Sequence, residues 1–528
     1  MQNIRALRAW FKSHVTDDGE PYTLDKNQAK IVLDEHKHTL VTARAGSGKT
    51  RTVVAKAVYL LAFKKIPPEK IIIFSFNRKA RAEVNERLHQ IMFDGESVLP
   101  KEKSLATTFH AFAYKILGGK NALANKLINE TDQDKILNEI CQDSELIIKA
   151  DELKQFITRA EQQFFDDYTR LDQKITALPE NETKTKLQTF NTVFSEYRKV
   201  MKQRELTNFN QIMADAAKLI QAIVDKANLG TTETRETGLE TQLSNYEYVF
   251  VDEYQDFSKL FFTMISSLLK SSPRARLLAV GDDWQSINRF AGSDVNYFLH
   301  FEKYFSVDYA KLFIPTNYRS GRRIVQNANY FMWRALSDYN GCKSGNKLKA
   351  KIYYKNINFG VKRRDPDIPL VIENYLRTIL QIVRANPNKT VKILGRNNGL
   401  RVPEWSLERF VSLVKENCIK QKILLKETCE KRITFSTIHR SKGLESDIVI
   451  LLEIDEKKFP APDKTDGLYS IFGDNAKTLF QDEARLFYVA ITRPKEKLFI
   501  LSKTTKINKE NKKFNFFSYL NDDYLEEM

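Results

Sequence analysis

"ARAGSGKT", Ala43 to Thr50, decides how this chain folds. In front of it runs the apolar, β-branched stretch "TLVTA" (39–43); behind it comes "RTVVAKAVYLLA" (51–62), with helical spacing of its apolar residues. A strand, a glycine-bearing turn and a helix opening on Lys-Thr are the context in which a loop cradles phosphate. Gly46 and Gly48 let successive backbone N–H groups turn inward, and the helix N-terminus adds its positive dipole end. Lys49 is expected to reach the terminal phosphates of ATP, and the Thr50 hydroxyl to face Mg²⁺. Ala43, Arg44, Ala45, Ser47 and Arg51 complete the expected nucleotide-binding set; Ala43 stands where the general pattern has glycine.

Outward from the loop, near-continuous apolar runs alternate with helical stretches. "KIIIFS" (70–75), "YEYVFVD" (246–252) and "ARLLAV" (275–280) join "TLVTA" in one cluster of strands. "KAKIYY" (349–354), "VKILG" (391–395), "RITFS" (432–436), "DIVILL" (447–452) and "KLFILS" (497–502) form a second. Runs of this kind predict parallel sheets covered on both faces, hence two α/β domains, residues 1–300 and 301–502. A chain of 528 residues is too long for one ordinary core. The span 116–208 lacks a strong strand and reads as a helical insertion in the first domain. Residues 503–528 read as a tail, first basic ("KTTKINKENKK", 503–513), then aromatic ("FNFFSYL", 514–520) and expected to pack as a closing segment.

"YVFVDEYQD" (248–256) ends a buried strand on Asp252 and Glu253. Beside a phosphate loop, the first carboxylate can hold Mg²⁺ through water, and the second can orient and deprotonate the attacking water.

The bulk properties narrow the partner. Lys plus Arg is 84 and Asp plus Glu is 67, a formal charge of +17, which suits a polyanion. Four scattered cysteines with no C-x-x-C pair argue against a disulfide framework and a cysteine zinc site, and fit a reducing cytoplasm. The apolar runs are too short to span a bilayer, and "MQNIRALRAWFKSHV" reads as a surface helix rather than a signal peptide.

These motifs carry a resemblance. "VDEYQD" resembles the D-E-x-Q-D box of superfamily 1 helicases of the UvrD/Rep type. In the family's order follow "LDKNQAKIV" with Gln28, "FSFNRKARAEV" (74–84), "TTFHAFAY" (107–114), "GDDWQSINRFAG" (281–292), "NYRS" (317–320), "TFSTIHRSKGLES" (434–446) and "EARLFYVAITR" (483–493). The segment 281–292, and the direct run from "VKILGRNN" to "STIHRSKG", are most similar to the helicase IV branch.

The resemblance implies two RecA-like domains and an ATP-driven motor on single-stranded DNA, running 3′-to-5′. It implies that Gln28 reads adenine, Tyr318 stacks on it, and Glu445 contacts the ribose. Gln285 is expected to sense the γ-phosphate and the attacking water, and Arg319 and Arg493 to neutralise charge on the transferring phosphoryl group. Phe76, Asn77, His110, Phe290, Thr437 and His439 match the strand-contact positions, with Phe290 as a stacking platform. Only about 40 residues separate "ILGRNN" from "STIHRSKG", too few for the family's large 2B insertion. Asn288 replaces a usual aromatic, and Ala291 stands where many relatives carry arginine. Single-stranded and tailed duplex DNA are the expected partners, with RNA left open. The alternative is an ATP- and DNA-sensing subunit that serves a nuclease partner in repair or phage defence.

Overall fold

The computed structural model describes residues 3–123, 126–142, 150–228, 238–357, 368–400, 402–454, 459–461, 467–502 and 516–528. The basic run 503–513 lies outside them, as do Phe514 and Asn515. The fold is α/β, with two RecA-like units. One comprises Met1–Ala43, Lys49–Ile314 and Thr465–Asn475; the other comprises Arg44–Gly48, Pro315–Lys464 and Ala476–Met528.

The first unit is built on six parallel strands: β1 His38–Ala43, β2 Ile71–Ser75, β3 Ala106–Thr108, β4 Tyr248–Val251, β5 Arg276–Gly281 and β6 Tyr309–Ile314. Their order is β6-β1-β5-β4-β2-β3. Leu40 faces Ala279, and Phe250 faces Leu278, in register. Successive side chains point to opposite faces, and both faces are buried. Leu40, Phe74, Val251 and Leu277 enter one core, shared with Phe109, Phe257 and Phe261. Val41, Ile73, Phe250 and Leu278 enter the other, shared with Leu7, Phe11, Val53 and Val84. The expected surface helix is present as Ile4–His14, seated by Leu7 and Phe11.

The described residues of 116–208 are mainly helical, with Glu130–Gln142, Ala150–Phe164, Thr169–Thr176 and Glu182–Gln203 as the main helices. These close over a core around Phe156, Ile157, Leu171, Phe190 and Phe194, which Leu468, Tyr469, Ile471 and Phe472 join.

The second unit repeats the plan with β7 Lys351–Asn356, β8 Val391–Gly395, β9 Ile433–Thr437, β10 Ser446–Leu452, β11 Pro494–Ser502 and β12 Leu525–Glu527. The order is β9-β8-β10-β11-β7-β12, with parallel pairing throughout. Ile393, Ile433, Ile450 and Leu501 pack under helices Leu370–Arg384 and Leu407–Lys420. Between β8 and β9 the described residues hold only Leu407–Lys420 and Lys426–Arg432 as helices, with no 2B-like subdomain. Of the aromatic tail, Phe516, Phe517 and Leu520 are buried, and the Phe516 ring lies 5.4 Å from Phe331 and 5.7 Å from Phe487. No described helix is long and apolar enough to cross a membrane.

Candidate functional site

Parallel strands bring their following loops to one edge of the first sheet, where open α/β sheets bind ligands. The segment after β1 is the glycine-bearing loop, β5 leads to 282–292, β4 to Asp252 and Glu253, β2 to Phe76 and Asn77, and β3 to His110. Across the edge the order therefore runs from the phosphate loop, through 282–292 with Phe290 and then the acidic pair, to Phe76, Asn77 and His110.

The loop has the geometry its glycines allow. Gly46 and Gly48 sit at φ +72° and +81°, and Lys49 opens helix Lys49–Val58. Lys49 Nζ lies 3.3 Å from Glu253 Oε1. The Thr50 hydroxyl donates to Asp252 Oδ2 over 3.4 Å. Arg51 leans away, its guanidinium carbon 4.1 Å from the centroid of Tyr22 and a nitrogen donating to Thr23 O at 3.3 Å. Ala43 and Ala45 are buried; so is Ser47, whose hydroxyl oxygen has no hydrogen-bond partner in the structure. Gln28 is buried too, and its Oε1 accepts from Asp25 N at 3.1 Å in the capping box of helix Lys26–Leu33.

Asp252 is enclosed, and burial, followed by the neighbouring charge of Glu253, pushes its carboxyl up to about 6. A dication would relieve that cost, so Thr50 and Asp252 form a hard-oxygen pair that fits Mg²⁺. Among the described residues no three His, Cys, Asp or Glu side chains gather as a protein-only metal cage. Glu253 itself adopts the left-handed conformation, φ +55°, uncommon outside glycine.

One buried side chain joins this pair to the next loop. Gln255 Nε2 donates to Glu253 Oε2, while its Oε1 accepts from Asp282 N at 2.9 Å. Its backbone carbonyl accepts from Ser286 Oγ at 3.0 Å. Asp282 Oδ2 then accepts from Gln285 Nε2 at 2.6 Å. Gly281 is required here, because a Cβ would stand 2.5 Å from Gln255 Oε1. Five residues beyond Gln285, the ring of Phe290 is 48 % exposed on the short turn Arg289–Ala291. Gln255 was not singled out from sequence, although it sits inside the "VDEYQD" box.

Phe76 packs its ring 5.7 Å from Phe261, beside exposed Asn77, which caps helix Arg78–Gln90 by accepting from Ala80 N at 2.9 Å. His110 packs edge-on to Phe209 at 5.2 Å, and burial lowers its basicity.

In the second unit, the loop segment 44–48 lies against the "NYRS" box. Asn317 Nδ2 donates to Ala45 O at 2.6 Å, and Tyr318 N donates to Gly46 O at 2.8 Å. Asn317 Oδ1 accepts from Arg319 N and Ser320 N, so this buried amide organises the turn. It is a second residue that the sequence reading did not single out. Arg44 is buried, donating to Asn340 O at 2.8 Å. The Tyr318 side chain is exposed, as a stacking surface must be.

Arg319 Nε donates to Glu445 Oε2 at 2.7 Å, and Lys495 Nζ lies 2.8 Å from Glu445 Oε1. Burial acts to raise the Glu445 carboxyl, but these two cations outweigh it and hold it below its ordinary value. Arg493 is buried at the end of helix Ala476–Ile491, where its Nε donates to Val489 O at 2.8 Å. Thr437 ends β9 and His439 follows it, whereas Glu445 and Arg493 precede the N-terminal ends of β10 and β11. The parallel sheet therefore puts these two groups at opposite edges. His439 is half-buried; burial, with the charge of Arg396 second, lowers its imidazole to about 4, so it is neutral at pH 7.

Comparison with known proteins gives the family. Residues 24–306 match the UvrD/REP helicase N-terminal domain, and residues 400–505 match the UvrD-like helicase C-terminal domain. The chain is 28 % identical to DNA helicase IV of Escherichia coli (strain K12) over 534 residues, covering 93 % of this chain and 69 % of that protein. It is 29 % identical to the putative ATP-dependent DNA helicase YjcD of Bacillus subtilis (strain 168), across 60 % of this chain and 39 % of the relative. ATP-dependent DNA helicase PcrA of Staphylococcus aureus (strain NCTC 8325 / PS 47) is 27 % identical across 58 % of this chain and 39 % of its own length. The N-terminal match alone takes in more than half of the residues, and the chain belongs to the UvrD/REP helicase family.

Proposed function

We propose that this chain is an ATP-dependent translocase and helicase that moves 3′-to-5′ on single-stranded DNA. The observation that supports it most is the unbroken bonded run Lys49–Glu253–Gln255–Asp282–Gln285, with exposed Phe290 five residues on. It links groups suited to hydrolysis with a ring suited to stacking on a base.

In this reading the loop amides and Lys49 hold the triphosphate, Gln28 and Tyr318 hold the adenine, and Glu445 faces the ribose. Glu253 takes a proton from water as that water attacks the γ-phosphorus; the bond to the β–γ bridging oxygen breaks and ADP leaves. Gln285 orients the water. Arg319 and Arg493 balance charge on the phosphoryl oxygens once they leave their resting partners. Mg²⁺ held by Thr50 and Asp252 would neutralise phosphate charge. Because both arginines come from the second unit, binding and hydrolysis would favour different arrangements of the two units, and that alternation would drive steps along the strand. Phe76, Asn77, His110 and Phe290 would grip the strand from one unit, and Thr437 and His439 from the other. The charge of +17 suits a polyanionic track read through its backbone.

The test is ATPase stimulation by DNA and RNA oligonucleotides, with unwinding of duplexes carrying 3′ or 5′ tails. Stimulation by DNA and unwinding from 3′ tails are expected. Turnover only in the presence of a second protein would favour a sensing subunit of a repair or defence complex instead.

A further inference from the structure

Between β10 and helix Ala476–Ile491 the chain leaves the second unit, and residues 467–475 are built into the helical insertion of the first. Leu468, Tyr469, Ile471 and Phe472 are buried there, with the Phe472 ring 5.6 Å from Phe156 and 6.1 Å from Phe164. Arg159 of insertion helix Ala150–Phe164 is fully enclosed, and its two terminal nitrogens donate to Asp474 Oδ2 and Oδ1 at 2.7 and 2.8 Å. Its guanidinium carbon also lies 4.7 Å from the Phe472 centroid and 5.5 Å from that of Tyr469. The Tyr469 hydroxyl donates to Glu152 O at 3.1 Å, and Lys174 Nζ donates to Ile471 O at 3.0 Å.

A bidentate, desolvated ion pair flanked by aromatic rings is costly to break. The segment is therefore a fixed part of the insertion's core rather than a surface loop. Asp474 is held by Arg159, Asn475 follows, and Ala476 is the first residue of the 16-residue helix that ends beside Thr492 and Arg493.

We propose that residues 467–475 are a strap that couples helix Ala476–Ile491 to the helical insertion. Movement of the helix on ATP hydrolysis must then move the insertion or be resisted by it, so the strap ties turnover to mechanical work. Arg159 and Asp474 act as positioning residues and touch no reacting atom. The inference rests on the reading of the chain as a translocase with Arg493 as a phosphate-facing arginine.

Two changes to the full-length chain test it. Inserting Gly-Ser-Gly-Ser between Asn475 and Ala476 leaves the ion pair and the ring packing in place, but adds a flexible leash with a reach of about 10–12 Å. The expected result is a melting temperature within about 2 °C of wild type, kcat and KM for ATP on single-stranded DNA within about twofold, and base pairs unwound per ATP lowered at least about fivefold. Arg159→Asp and Asp474→Arg should each lower that ratio, and the double variant should restore part of it. Unwinding per ATP equal to wild type in the insertion variant would overturn the strap. So would a parallel fall of ATPase, unwinding and melting temperature in the Arg159 variants while the insertion variant stays normal, since the pair would then be merely structural. A wild-type chain that neither unwinds nor translocates would instead refute the proposed function, and the strap with it.

Discussion

Gln255→Leu separates hydrogen bonding from packing at the centre of the site. Leucine is close in size, so the loss lies in two bonds rather than in a cavity. The Nε2 bond to the Glu253 carboxylate goes, and so does the acceptor of Asp282 N–H at 2.9 Å. The side chain is 0 % exposed, so water does not replace them. A buried bond to a charged group contributes about 1.5–3 kcal/mol, and removing the acceptor of a buried N–H costs about 1–3 kcal/mol. With partial relaxation, the first unit should lose about 2–5 kcal/mol in urea denaturation. Glu253 would keep its place in the chain but lose the amide that fixes one oxygen. A positioned base contributes about 10²–10⁴-fold, so kcat on saturating single-stranded DNA should fall about 10- to 100-fold, with the KM for ATP within about threefold. A Leu variant within about 0.5 kcal/mol of wild type, with unchanged kcat, would refute this account of Gln255.

Further outcomes follow from other residues. Phe290→Ala should weaken single-strand binding by about 1–3 kcal/mol, roughly 5- to 150-fold in Kd by fluorescence anisotropy, with ATP affinity nearly constant; equal DNA affinity would discard the stacking role. Gly46→Ala must tolerate φ +72° and a Cβ only 2.7 Å from Arg319 Cβ and 2.9 Å from Asn317 Oδ1, so the contact between Tyr318 N and Gly46 O should open. Nucleotide affinity should drop at least about tenfold by titration with a fluorescent ATP analogue, and wild-type affinity would contradict that. His439 has its folded basicity lowered from 6.5 to about 4, so its contribution to stability is full above pH 6.5 and is lost as pH falls towards 4. Thermal melts should therefore show the stability advantage of wild type over His439→Gln shrinking across that window, and a constant difference would remove the effect.

Much of this was legible because chemistry and burial constrain residue type locally. Strands buried on both faces announce themselves as continuous apolar runs, and all nine of those read from sequence lie in the two sheets. Tyr309–Ile314 escaped because it is an edge strand with a half-buried, mixed sequence, although it pairs in register with His38–Ala43. Ala106–Thr108 and Leu525–Glu527 are too short to show a period. The phosphate loop and the Asp-Glu pair were visible because their spacing is fixed by the chemistry. Gln255 and Asn317 were not, since what matters is the partner: Asp282 is 27 residues from one, and Ala45 is 272 from the other. The same holds for Arg159 and Asp474, 315 residues apart, neither of which lies in a recognisable motif.

The central claim is that Glu253 activates the water that cleaves ATP on a DNA-bound motor. Steady-state ATP turnover by Glu253→Gln on saturating single-stranded DNA, with ATP and DNA affinities measured alongside, tests it most directly. Turnover at least about 10²-fold below wild type, with both affinities within about threefold, is the predicted result. Turnover close to wild type would contradict it.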